Sequence, residues 1–172
     1  MSEKMIEVKE LRKSFRKEQV LQGVSFTVNK GSIFALLGSN GAGKTTVIKI
    51  LSTLLKADSG SAAIGKFNVI TQRENVRKCI SLTGQFVAVD EVLTGRENLN
   101  LIGQLLRIPD VKNKVNEWLS FSNLEDAADR KVSTYSGGMR RRLDIAMSLM
   151  GNPQVIFLDV NWCSLLGCVS SV

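Results

Sequence analysis

Apolar positions change their period along this chain. Before Thr94 they come in short runs with one helical stretch among them, from Thr94 to Met150 they recur with a helical period, and after Pro153 a short run returns. Glu7 to Leu11 and Val24 to Val28 read as short strands, with Asn29-Lys30-Gly31 as the turn that follows. Ser32 to Leu37 (SIFALL) is short, apolar and flanked by glycines, which predicts a buried strand. Lys44 to Leu55 predicts a helix, because Val47, Leu51, Leu54 and Leu55 stand at i, i+4, i+7 and i+8. Ser61 to Ile64 and Cys79 to Thr83 are further strand candidates. Thr94 and Glu97 form a T-x-x-E capping box ahead of Leu99, Ile102, Leu105 and Leu106. Helices follow at Val111 to Phe121, Leu124 to Asp129 and Gly137 to Met150. The last carries Met139, Leu143, Ala146, Met147 and Met150 on one face and is stopped by Gly151-Asn152-Pro153. Val155 to Leu158 (VIFL) predicts another buried strand, ending in Asp159. This order is α/β with an inserted helical subdomain.

Composition narrows the chemistry. The chain has 172 residues, the size of one domain, and its 44% apolar and 23% charged residues argue against disorder. Twenty-three Lys and Arg against sixteen Asp and Glu give a net charge of +7, which suits a polyanionic partner without naming one. There is no histidine, which removes Ser-His triads and His-bearing zinc sites. Three cysteines without paired spacing fit a reducing compartment better than a disulfide scaffold. Met1 to Glu10 lacks the apolar core of a secretory signal, and no run approaches the ~20 apolar residues of a membrane span. The expected location is the cytosol, with any membrane link made through a partner.

Gly38-Ser39-Asn40-Gly41-Ala42-Gly43-Lys44-Thr45 matches G-x-x-x-x-G-K-[ST], between a predicted strand and an amphipathic helix. Glycines let successive backbone N–H groups turn inward toward phosphate oxygens, and the helix adds its positive end. Lys44 is placed to reach β- and γ-phosphates, and the Thr45 hydroxyl to bind Mg²⁺. Asp159, at the end of an apolar strand, is placed to hold the Mg²⁺ shell. Tyr135-Ser136-Gly137-Gly138-Met139 opens another helix with a hydroxyl and unhindered amides, a second phosphate-type site. Two such sites with one nucleotide fold are reconciled by head-to-tail pairing of two chains.

With these motifs in order, the sequence resembles the ATP-binding subunits of ABC transporters. GSNGAGKT resembles the Walker A motif, YSGGM the LSGGQ signature and VIFLD the Walker B motif, and Gln85 stands at the Q-loop position. The wording LTGQ-FVAVDEVLTGRENL and YSGGMRRRLDIAMSL is most similar to the daunorubicin-resistance type of exporter ATPase. The resemblance covers Met5 to Asp159. It implies an α/β fold with a P-loop NTPase (RecA-like) core, an N-terminal antiparallel β subdomain and a helical subdomain about residues 90–150. Residues 1–172 would form a single nucleotide-binding domain with a sheet incomplete at its C-terminus. Phe15 would stack on adenine. Gly38, Ser39, Asn40, Gly41, Ala42, Gly43, Lys44, Thr45 and Thr46 would hold the phosphates of ATP. Ser136, Gly137 and Gly138 would meet the γ-phosphate held by a second copy. Thr45, Gln85 and Asp159 would serve Mg²⁺, and Gln85 would contact the attacking water. The implied partners are a second ATP-binding subunit and a separate transmembrane permease docked near Gln85 to Glu97, at the inner face of the cell membrane. The implied work is export of a drug or small molecule. Arg140, Arg141 and Arg142 read as a solvated helix face, and without an interleaved aromatic platform nucleic acid is not an expected partner.

After Asp159 the family pattern has a glutamate, a Leu-Asp loop, a strand and a switch histidine. This chain has Val160-Asn161-Trp162-Cys163. Residues 160–172 hold no charge, and 13 uncharged residues in a row have a chance of roughly 3% at this charge content. The tail therefore reads as foreign, through a frameshift, a misjoined gene model or early termination. Val160 stands where a general base belongs, so impaired hydrolysis is expected. The alternatives are a non-hydrolysing regulatory module and a truncated product without function.

Overall fold

The computed structural model describes residues 3–16, 18–39, 41–83 and 89–158. The chain divides into two compact units, Met1–Ile80 and Ser81–Val172.

In the first unit, β1 (Lys4–Phe15) and β2 (Glu18–Asn29) form a long antiparallel hairpin, and β3 (Ser59–Ile64) and β4 (Phe67–Asn68) extend it in the order β2-β1-β3-β4. Ile6 and Val8 alternate inward, and a register shift between Val8 and Leu11 then restores the apolar side chain to the buried face. Both strands run well past the five-residue cores predicted for them, because the flanking residues are polar yet still pair. Helix α1 (Lys44–Leu51) buries Val47, Ile50 and Leu51. It ends four residues before the predicted Leu55. Thr53 takes a left-handed φ of 64°, its amide donates to Ile50 O, and the Leu54 amide donates to Lys49 O. This is a Schellman-type stop with threonine where glycine is usual, so the sequence carries no visible signal for it. Leu54 leaves the apolar face and is exposed. Helix α2 (Arg73–Cys79) was not predicted; it buries only Val76 and Cys79.

The predicted strand at Ser32 to Leu37 is not formed. The segment is irregular, with Ile33 fully exposed, Leu37 75% exposed, and Phe34 stacked on Phe26 at 5.0 Å. Local apolarity announces a strand, but its ladder partner is a non-local matter, and none pairs with it among the described residues.

In the second unit, β5 (Ile80–Thr83, beginning at the boundary) pairs with β6 (Val155–Leu158) in a two-stranded sheet. Only Phe157 of β6 is buried, whereas the sequence predicts a fully buried strand. Helices α3 (Gly95–Leu105), α4 (Val111–Phe121) and α5 (Gly137–Leu149) surround a core of Leu99, Val115, Leu119, Leu124, Leu143 and Met147. The capping box forms as predicted. Thr94 Oγ1 accepts from Glu97 N at 3.1 Å, and Glu97 carboxylate accepts from Thr94 N at 2.7 Å. The helix predicted over Leu124 to Asp129 is a single 3₁₀ turn, Glu125–Ala127. Asn123, at φ 51°, closes α4 first, with the Leu124 amide bonded back to Leu119 O. No helix among the described residues is long and apolar enough to cross a membrane.

Candidate functional site

The first unit carries the glycine-rich loop at the head of α1. Gly43 is the helix N-cap, buried, with a left-handed φ of 82°. A Cβ there would fall 2.6 Å from Leu21 Cδ2 and 3.1 Å from Val20 O, so only glycine fits. No side chain caps the helix, and its first turn holds no acidic residue. Among the described residues, the amides of Lys44, Thr45 and Thr46 therefore have neither an intrahelical acceptor nor a cap. Lys44 Nζ donates to Gly38 O at 2.6 Å and to Ser39 O at 2.7 Å, closing the loop on itself, and Ala42 N donates to Ser39 O. Thr45 is exposed. Uncapped amides, an ammonium and a free hydroxyl on one short turn are the donor set that a magnesium-bound polyphosphate requires, so the described residues fit that group.

Phe15 closes β1 opposite Glu18 and is 45% exposed, so it is not a core residue. The Lys13 ammonium sits 5.5 Å from its ring and is held by Asp58 at 2.6 Å. The same Asp58 carboxylate accepts from Ser14 N, and Lys13 above all holds the carboxyl below its ordinary pKa.

The second unit carries the Ser-Gly-Gly turn. Ser136 is the N-cap of α5, and its Oγ accepts from Met139 N at 3.3 Å. A Cβ on Gly137 would meet nothing within 4 Å, and one on Gly138 only Ser136 Oγ at 4.0 Å. Neither glycine is among those with positive φ. Neither internal packing nor backbone conformation therefore requires glycine at these two positions. Tyr135, just before them, is buried, and its hydroxyl donates to Ala127 O at 2.6 Å.

The arginines after the turn differ from a simply solvated face. Arg140 Nη1 donates to Glu91 at 2.6 Å and its Nη2 to Ser133 O at 3.0 Å, while Arg141 pairs with the buried Asp144 at 2.9 Å. Sequence periodicity exposes the face but not its partners, which lie up to 49 residues away. Asn98 was also missed. It is almost fully buried, takes the Asp90 amide and donates to Asp90 O and Thr94 O, which fixes the loop Asp90–Thr94. Asn40, Gln85, Asp159 and Val160 lie outside the described residues.

A glycine-rich phosphate loop opening a helix, in a mixed α/β chain, defines a P-loop NTPase fold. The chain belongs to the ABC transporter family, whose sequence model matches residues 21–160. It is 46% identical over 151 residues to the daunorubicin resistance ATP-binding protein DrrA2 of Streptomyces coeruleorubidus, covering 87% of this chain and 47% of that protein. It is 48% identical over 153 residues to the doxorubicin resistance ATP-binding protein DrrA of Mycobacterium tuberculosis, covering 87% and 46%. The chain thus spans about half the length of these curated relatives. Among solved structures it is similar to an ATP-binding cassette of an ABC transporter in its ADP conformation. There the TM-score is 0.77 at 31% identity, covering 89% of this chain and 67% of that one.

Proposed function

We propose that this chain is the ATP-binding subunit of a membrane exporter for a drug or small molecule, working on the cytoplasmic side and held at the inner membrane face by a separate permease. Residues 1–172 act as one nucleotide-binding domain, with the helical subdomain about residues 90–150. The observation that carries the reading is the phosphate loop, with Lys44 seated on Gly38 O and Ser39 O beside the uncapped amides of α1. On this reading Gly38, Ser39, Asn40, Gly41, Ala42, Gly43, Lys44, Thr45 and Thr46 hold the ATP phosphates, and the exposed Phe15 ring offers a face to adenine. Thr45, Gln85 and Asp159 hold Mg²⁺, which when bound neutralises charge on the β- and γ-phosphates. A second copy brings Ser136, Gly137 and Gly138 to the γ-phosphate, a role supported by glycines that neither packing nor backbone conformation demands. The names of the daunorubicin- and doxorubicin-resistance relatives support export of such compounds.

A second reading, a module that binds ATP without hydrolysing it, is favoured by Val160 directly after Asp159. A valine side chain accepts no proton, so the attacking water has no base at this position, and Gln85 orients water without deprotonating it.

Calorimetric titration with Mg·ATP, Mg·ADP and AMP tests the primary reading. Because the loop holds β- and γ-phosphates, ATP and ADP should bind and AMP should bind at least about tenfold more weakly. AMP binding as tightly as ATP would overturn it.

A further inference from the structure

We propose that Arg140 is a positioning residue whose guanidinium, held between the Glu91 carboxylate and the Ser133 carbonyl, couples the loop Asp90–Thr94 to the Ser136–Gly138 turn. This rests on the reading of that turn as the group that meets a second copy's ATP.

Arg140 lies in the first turn of α5, where a cation opposes the helix dipole, so its position does not serve the helix. Its Nε is buried with no acceptor among the described residues, a further cost that the site carries. What the residue gains is a charge-assisted bond to Glu91 at 2.6 Å and a bond to Ser133 O at 3.0 Å.

The far side of this contact is tied together by hydrogen bonds. Ser133 N donates to Glu91 O, Val132 N to Leu93 O, and Thr94 bridges Lys131. Asn98 ties Asp90 to Thr94 from beneath. Those backbone bonds stop at Ser133. The Arg140–Glu91 pair reaches past them into α5 itself, on the other side of Ser136. The turn is therefore gripped from both ends by elements fastened to one loop. That loop starts two residues after the segment 84–88, where Gln85 lies. A pull on the loop, from either nucleotide state or a docked partner, displaces the turn through this pair.

The test uses hydrogen exchange by mass spectrometry on the full chain and on Arg140→Glu, Glu91→Arg and the double exchange of both. Each single variant should raise exchange at residues 90–93 and 136–139 by about threefold, with little change in Tm, because a half-exposed pair contributes little to global stability. The double variant should restore slow exchange in part, because it regains the ion pair between positions 91 and 140 while a carboxylate at 140 cannot donate to Ser133 O. In sedimentation with Mg·ATP, the single variants should pair about threefold more weakly and the double variant should recover in part, while affinity for nucleotide stays that of the wild type. Wild-type exchange in the single variants overturns the coupling, and so does a loss that the double variant does not repair even in part. A wild-type chain that does not pair with ATP overturns the reading of the turn instead, while the exchange measurement still decides the coupling.

Discussion

The Tyr135 hydroxyl lies directly over Gly95, where any Cβ would overlap the hydroxyl oxygen, and donates to Ala127 O at 2.6 Å. This contact anchors the residue immediately before Ser136 to the start of α3. Gly95→Ala should destabilise the protein by about 1–3 kcal/mol through overpacking. That corresponds to a fall in Tm of about 2–4 °C per kcal/mol. Tyr135→Phe should cost about 1 kcal/mol for the lost hydrogen bond. Combined, the two should cost less than their sum, since removing the hydroxyl relieves the clash. Strict additivity in thermal unfolding would contradict the contact.

Tyr135 is the only tyrosine in the chain, so its titration can be read without ambiguity. Burial pushes its phenol pKa above the ordinary value near 10, against a smaller opposing effect of Arg130. A raised pKa in an acid means that the folded state favours the neutral form. The associated stability is fully present below pH 10 and is lost as pH rises through the raised value. Ultraviolet difference titration should give a higher midpoint for the folded chain than for the chain in urea. Coincident midpoints would show that the phenol is not buried.

Gly137 faces open space at a helix start, so aspartate there should leave the folded chain intact and complement the helix dipole. If this turn meets a partner's γ-phosphate, the added carboxylate repels it. Gly137→Asp should keep its Tm and nucleotide affinity while losing ATP-dependent pairing at least about tenfold. Undiminished pairing by sedimentation would separate the turn from the phosphate.

Turnover addresses Val160. A general base contributes typically ~10²–10⁴-fold in rate. Val160→Glu should raise phosphate release at least ~10²-fold over wild type, with both proteins shown to be folded and nucleotide-bound. Equal rates would mean that residue 160 is not the base position.

The site was more legible in the sequence than the sheet. The phosphate loop and the Ser-Gly-Gly turn are contiguous motifs, so eight and five residues in order mark two helix starts that the structure forms. The capping box at Thr94 and the bounds of α4 are local in the same way. Strand pairing is not, and Ser32 to Leu37 shows the difference, since its apolar side chains predict burial while Ile33 stands exposed. The helix end at Thr53 was hidden because a left-handed residue other than glycine closed it. The role of Arg140 was hidden because its partner Glu91 lies 49 residues away, and no spacing rule reaches that far.

The most direct test is the affinity of Lys44→Ala for Mg·ATP. Lys44 is the first residue of α1 and only partly buried, and alanine favours helix, so the variant should fold with an unchanged Tm. Removing the ammonium deletes a charge-assisted contact to the phosphates and should weaken ATP binding by about 10–100-fold in calorimetric titration. A folded Lys44→Ala chain that binds Mg·ATP as tightly as the wild type would contradict the assignment of this loop as the nucleotide site.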